Sequence, residues 1–493
     1  MSESVMPAPA HLKEGTREGA AARYVGQSVP RGEDAALLCG QGRFTADLDP
    51  VPGVLHAAIV RSPYPHARIS GFDASAALAL RGVAAVIGPS EVRCELAPFP
   101  MSLKAPMPYY PAAADRVRYV GEPVGVVVAA DRYIAEDAAD LVNVQYEPLP
   151  AVVDIRTAMV KDAPRLHEEA ENNVATDRTF RFGDVDGAFA AAAHIVQGEY
   201  DFPRYSSTPM ECYVVIAEWS EDDSGPLVTA WSNFHGPFTM APVIAGALRL
   251  PLSRIRLVVP PDIGGSFGIK SAIYPYITLL ALASKHAGAP VRWEEDRIEH
   301  LLASSAGTDR VMRFDAAVDV AGHVSALRAD LVDNVGAYLR PPEPSNLYRC
   351  FGNITGAYRI PAVEIRARAV VTNKAPTGLN RGFGGQQLYF GLERLMDEIA
   401  ATVGMDAADL RRCNFVPTEA FPYRTPSGGL YDSGDYGAAL DRALDLAGYA
   451  AARRAQEKAR ADGRLVGVGV ATIVDPSATN IGYVGLAAPH QPR

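Results

Sequence analysis

Two short glycine-rich segments, Gly264–Lys270 ("GGSFGIK") and Asn380–Gln387 ("NRGFGGQQ"), restrict the backbone of this 493-residue chain more tightly than any other stretch. Each sets one phenylalanine, Phe267 or Phe383, between glycines. Each follows a strand-like run and precedes a helical one. Glycine lacks a Cβ, so the chain can turn sharply there and another group can approach the bare main chain. After the second segment, Leu388, Leu392, Leu395, Met396 and Ile399 recur at helical spacing and predict a helix ended by Gly404. Glu393, Arg394, Asp397 and Glu398 are expected off its apolar face. The second loop therefore feeds a helix N-terminus, where free N–H groups and the positive end of the helix dipole suit an anionic ligand.

Nucleotide motifs do not fit these loops. A Walker loop needs adjacent Gly-Lys, and Ile269 separates Gly268 from Lys270. Neither segment matches the dinucleotide fingerprint G-x-G-x-x-G. An unrelated nucleotide-binding protein is thus the weakest of the readings considered. The net charge of -10, without a long basic run, argues against nucleic acid or an anionic membrane as the main partner. No apolar run is long enough to suggest a membrane span, and "MSESVMPAPAHLKEGTREGAAARYVG" lacks the apolar segment of a signal peptide. The five cysteines, Cys39, Cys94, Cys212, Cys350 and Cys413, form no C-x-x-C pair. That disfavours a zinc ribbon, an iron–sulfur cluster or a disulfide scaffold. Each is expected to be a small buried hydrophobe, and a reducing cytoplasm is the expected setting.

Hydrophobic patterning divides the chain. Val124–Ala129 predicts a buried strand, Asp131 caps a helix running to about Leu141, and Val142–Tyr146 predicts another strand. Residues 151–185 have poor periodicity and are expected to be a connector. Further strands are expected at "HIVQGEYDF", "YVVIAEW", "RIRLVV", "VMRFDAAVDV", "VSALRADLVDN" and "EIRARAVVTN", with helices at "MAPVIAGALRL" and "YPYITLLALASKHAG". The fold class is α+β.

Together, "GGSFGIK" and "RGFGGQQ" resemble the molybdenum-cofactor-binding large subunit of the xanthine dehydrogenase, aldehyde oxidase and carbon monoxide dehydrogenase family. "RSPYPHARI" and "YVGEPVGVVVAADRYIAEDAADLVNVQYEPLP" look like its a/b hammerhead domain, and "STPMECYVVIAEW" like the start of its first molybdopterin-binding domain. The resemblance covers about residues 24–485. It implies an N-terminal arm at 1–30, a hammerhead domain at 31–152, a first molybdopterin-binding domain of mixed sheets and helices at 153–440, and a truncated start of a second such domain at 441–493.

The resemblance also implies roles. Gly264, Gly265, Ser266, Phe267 and Gly268 would lie over the cofactor, with Arg381 and Gly382 beside it. His235 in "WSNFHGPF" takes the place of a glutamine that the family usually carries. Phe383 and Phe267 would line the substrate pocket. Glu211 is expected to cap or to form a salt bridge. The cofactor would be molybdenum-molybdopterin, with the cytosine dinucleotide form as a variant. The metal would be held by the pterin dithiolene and by no side chain of this chain. Iron–sulfur [2Fe-2S] and FAD subunits would be partners. Ser271 replaces the acid of purine-oxidising members, and the second loop lacks the cysteine of carbon monoxide dehydrogenases. An aldehyde or N-heteroaromatic substrate is therefore expected. The family's general base, a glutamate in a late Gly-Glu motif, has no counterpart in "GVGVATIVDPSATNIGYVGLAAPHQPR", so no catalytic residue is assigned. Two readings follow: half of a split hydroxylase completed by a second chain, or an inactive homologue serving as a binding module.

Overall fold

A computed structural model describes residues 27–48, 51–101, 103 and 105–475. The expected N-terminal arm up to residue 26, and the "AAPHQPR" segment, lie outside the described residues. The chain divides into two compact units at Arg43/Phe44. Within the first, the described part contains the short helix Asp34–Leu38.

The second unit is built on two large sheets. A seven-stranded sheet runs in the order Ile255–Val258, Gly225–Ser232, Val214–Asp222, Val291–Glu294, Leu55–Arg61, Pro123–Ala129, Val83–Ile87. Strands from residues 55–129 and from residues 214–294 share it, joined by the parallel pairing of Leu55 with Val291. The Pro123–Ala129 strand is buried along its whole length, as its continuous apolar run requires. The helix Arg132–Asp140 begins where expected, with the Asp131 carboxylate accepting the Ile134 N–H. A three-stranded sheet of Arg116–Val117, Ala67–Asp73 and Asn143–Pro148 lies beside it in sequence.

The five-stranded sheet runs Val174–Phe182, Ala362–Val371, Val324–Gly336, Asp309–Val318, His194–Phe202. Its first strand corrects the expectation of a connector over 151–185. Over Asp177–Phe182 exposed Asp177, Thr179 and Arg181 alternate with half-buried Arg178, Phe180 and Phe182, and every position of "VATDRTFRF" is at least partly exposed. This edge strand has one wet face and so lacks the apolar density of the central strands. The helix Gly385–Val403 packs on this sheet through Leu388, Leu392, Leu395, Met396 and Ile399, all nearly fully buried. Glu393 departs from expectation. It is buried, and its carboxylate is 2.8 Å from the guanidinium of fully buried Arg411. The cysteine expectation holds for Cys350 alone; Cys39, Cys94 and Cys413 are exposed and Cys212 is half-buried. Among the described residues no helix is long and apolar enough to cross a membrane.

Candidate functional site: a two-loop cradle

The two glycine loops meet. The Arg381 N–H donates to the Phe267 carbonyl at 2.7 Å. A Cβ on Gly268 would stand 2.9 Å from the Leu379 carbonyl oxygen. Sequence separates these loops by more than a hundred residues; the sheets bring their main chains into contact. Backbone conformation explains the glycines. Gly265 and Gly268 sit at φ of 93° and 105°, and Gly382 and Gly384 at 75° and 76°. Phe267 is also left-handed, at φ 51°, a costly state for a bulky residue.

Several loop carbonyls are turned into the protein. In the first loop, the Gly264 carbonyl accepts the Glu211 N–H, Ser266 accepts that of Ile269, and Phe267 accepts that of Arg381. In the second, the Arg381 carbonyl accepts from the Gln386 amide, Phe383 from Arg349 and Gly384 from Arg310. In a trans peptide the N–H that follows points the opposite way. The N–H groups of Gly265, Phe267, Gly382 and Gly384 accordingly face away from these bonds and, like those of Ser266 and Phe383, have no protein acceptor among the described residues, whereas the Gly268 N–H is taken by Ser266 Oγ and the Gly385 N–H by the Gly382 carbonyl. Adjacent unpaired amides on left-handed turns form a concave anion site.

Buried charge braces the cradle. Glu211 Oε2 accepts the Gly264 N–H at 2.8 Å and the Lys270 ammonium at 2.6 Å, so one carboxylate oxygen ties both ends of the first loop. Lys270 is fully buried, and that burial lowers its pKa against the opposing pull of Glu211. The expected salt-bridge role of Glu211 is thus present, and its charge serves the loop backbone. Under the second loop, Arg310 forms a bidentate pair with Asp333 and donates to the carbonyls of Gly384 and Asn346. Arg310 and Asp333 face each other across neighbouring strands. Neither was expected from the sequence, although Arg310 stands in the inward register of Met312, Phe314 and Ala316, where a charge needs a partner.

The remaining expected residues are close by. His235 Nδ1 lies 3.0 Å from Ser266 Oγ, and the His235 N–H donates to the Lys270 carbonyl. Phe267 is 47% exposed. Phe383 is half-buried beneath the Arg349 guanidinium, 4.7 Å from the ring centre. Ser271 is turned away, its hydroxyl bonded to the Gly268 carbonyl at 2.7 Å. A cleft of about 690 Å³ opens beside Arg381 and Gly382, between the Gly385–Val403 helix and residues 469–475. The cradle suits molybdopterin on two counts: bare glycine backbone, and unpaired amides for a polyanionic cofactor.

Comparison with known proteins bears on this arrangement. Residues 166–415 match the molybdopterin cofactor-binding domain, and residues 39–150 match the a/b hammerhead domain of aldehyde oxidase and xanthine dehydrogenase. The chain is 34% identical to the 6-hydroxypseudooxynicotine dehydrogenase complex subunit gamma of Paenarthrobacter nicotinovorans, over 97% of its own length and 61% of the relative's. It is 36% identical to the nicotine 6-hydroxylase large subunit of the same organism, over 93% of its length and 56% of the relative's. Quinoline 2-oxidoreductase from Pseudomonas putida 86 superposes with a TM-score of 0.86 at 33% identity, covering 94% of this chain and 60% of that one. The chain therefore spans roughly three-fifths of the length of these relatives. With both domains matched in order, the chain belongs to the molybdenum-cofactor-binding large subunits of the xanthine dehydrogenase and aldehyde oxidase family.

Proposed function

We propose that this chain forms one wall of the cofactor and substrate site of a molybdenum hydroxylase that oxidises an N-heteroaromatic ring or an aldehyde with oxygen from water. The observation that carries the reading is the junction of the two loops, Arg381 N–H to Phe267 carbonyl at 2.7 Å, with six unpaired amides around it. When bound, molybdenum-molybdopterin would supply the two-electron oxidant. The backbone of Gly265–Phe267 and Gly382–Gly384 would hold its anionic groups, and His235 would orient Ser266 at the edge. The cytosine dinucleotide form belongs to the same proposal.

For substrate, Phe267 offers an exposed ring, and Phe383 a ring whose place is fixed by Arg349. A flat aromatic substrate gains edge or face contacts from both. Ser271 bonds to the loop itself and is not offered to a purine, and no loop cysteine is present for carbon monoxide chemistry. The relatives named for nicotine and quinoline chemistry support the same class. Glu211 is engaged with Lys270 and Gly264, so it braces rather than removes a proton. The general base would come from further polypeptide completing the cradle, and electrons would leave through iron–sulfur and FAD subunits in the cytoplasm.

The test is expression in cells that make the cofactor, with any co-purifying subunits retained. Turnover of a quinoline or pyridine with label from ¹⁸O-water incorporated in the product is the expected result. Cofactor retention without turnover of any ring or aldehyde would instead support the inactive binding module. Absence of both would end the reading.

A further inference from the structure

A third segment reaches the cradle. Residues 203–213 cross from the strand His194–Phe202 of the five-stranded sheet to the strand Val214–Asp222 of the seven-stranded sheet. The glycine loops divide in the same way. The first follows the strand Ile255–Val258 of the seven-stranded sheet, and the second follows Ala362–Val371 of the five-stranded sheet. The crossing segment bonds to both loops.

Its start is anchored in the five-stranded sheet. Arg204 pairs with Asp309 at 2.9 Å and donates to the carbonyls of Asn334 and Ala375. The Tyr205 carbonyl accepts the Gly307 N–H at 2.8 Å. Ser206 then bonds locally: its Oγ accepts the Thr208 N–H at 3.3 Å and lies 3.0 Å from the Thr208 hydroxyl. Thr208 is left-handed at φ 40°, a costly state for a β-branched residue that persists only where its surroundings fix it. Across Thr208 the chain changes partner. Before it, the Ser207 hydroxyl accepts the Asn380 side-chain N–H. After it, Pro209 is buried against Gly265, its Cβ 3.3 Å from where a Cβ on that glycine would stand. Glu211 follows with its bonds to Gly264 and Lys270. On the outer side, Arg297 donates to the carbonyls of Pro209 and Met210 at 2.7 and 3.0 Å.

Asn380 opens the second loop, and the residue after it makes the loop junction, Arg381 N–H to the Phe267 carbonyl. Two neighbours in sequence thus bond to two different walls. We propose that Ser207 is a positioning residue for the cofactor: by holding Asn380 it fixes the gap and angle between the two loops, and with them the convergence of their unpaired amides. This rests on the reading of the loops as a cofactor cradle. The physical reason is geometric. Without the Ser207 hydroxyl, the second loop keeps one direct hydrogen bond to the first among the described residues. A single bond sets a distance but lets the loop pivot. A second bond on the adjacent residue, to a segment that is itself tied to Gly264 and Lys270, removes the pivot. Amides held in place before the cofactor arrives lose no ordering entropy when it binds.

Two measurements test the tie. Amide hydrogen exchange is read on the full-length protein free of cofactor. Molybdenum and pterin content is read after expression in cells that make the cofactor, with co-purifying subunits retained. Ser207→Ala should speed exchange at the Arg381 N–H about fivefold, the scale of one lost hydrogen bond. A peptide from the helix Tyr436–Ala447 should exchange as in wild type. Asn380→Ala should act alike, and the double variant no more strongly than either. Retained molybdenum and pterin should fall about fivefold in Ser207→Ala and recover in Ser207→Thr, which keeps the hydroxyl. If Ser207→Ala does not fold by circular dichroism, Asn380→Ala carries the same readings. Wild-type exchange in the alanine variants overturns the proposal. So do multiplied effects in the double variant, or full cofactor content in a variant whose loop has loosened. Wild type without molybdenum ends the cradle reading instead, and the exchange rates then decide whether Ser207 holds the loop.

Discussion

At the residue scale, the cradle depends on backbone positions that tolerate no side chain. A Cβ on Gly384 would lie 2.1 Å from the Asn346 carbonyl oxygen, and the residue sits at φ 76°. Neither partner is a flexible side chain, so Gly384→Ala is expected to cost about 2–3 kcal/mol in urea unfolding; a change below about 0.5 kcal/mol would mean that the loop adapts. The Lys270–Glu211 pair makes a second expectation. Removing one member of a buried pair strands the other charge, typically at about 3–5 kcal/mol. Glu211→Ala should therefore destabilise more than Glu211→Gln, which keeps an oxygen for the Gly264 N–H. Equal losses would contradict the bracing role. At this scale the glycines and phenylalanines were legible in the sequence because their backbone demands are local. The braces were less so: the resemblance gave Glu211 a capping or salt-bridge role without its partner Lys270, and Arg310–Asp333 went unmarked, because both pairs are set by strand register and loop closure.

At the scale of elements, apolar periodicity located the Gly385–Val403 helix, and its five spaced apolar residues are its buried face. The same periodicity placed Glu393 wrongly, because a helix facing both a sheet and a second helix buries more than one stripe. Glu393 accepts from Arg411, from the Tyr358 hydroxyl at 2.7 Å and from the Thr472 N–H at 2.9 Å. It thus ties the helix to residues 407–414 and to the segment along the cleft. Arg411→Met should cost about 3 kcal/mol by leaving that carboxylate unpaired, and adding Glu393→Gln should recover part of the loss. Strictly additive losses in this double-mutant cycle would show the pair to be uncoupled. The edge strand Val174–Phe182 escaped the sequence reading for the opposite reason: half of its pattern faces water, so only alternation marked it.

At the scale of the whole molecule, a buried polar cluster joins the 116–122 segment to the rest. Glu122 receives the Tyr338 hydroxyl at 2.5 Å and also the Arg118 N–H. Burial pushes its pKa from 4.5 up to about 7, against the Arg118 charge. The unfolded chain releases this proton near pH 4.5 and the folded chain near 7. The folded state thus holds more protons across that window, and stability contributed by this group is lost as pH rises through 7. Glu122→Gln should reduce the fall in unfolding free energy between about pH 5 and pH 7 by up to about 3 kcal/mol relative to wild type. A parallel pH profile in the variant would place the proton elsewhere. No local pattern announces such a group: Glu122 lies just ahead of the expected Val124–Ala129 strand, and only the packing of Tyr338 and Arg118 around it reveals its state.

The central claim is that two distant glycine loops make one cofactor cradle. Its most direct test is the molybdenum and pterin content of the chain, with its co-purifying partners, from cells that make the cofactor. Wild type should carry both in stoichiometric amount. Gly268→Ala, whose Cβ would press on the Leu379 carbonyl where the loops meet, should lose most of each while remaining folded by circular dichroism. Wild type without molybdenum, or a folded Gly268→Ala protein that retains full molybdenum and pterin, would contradict the account.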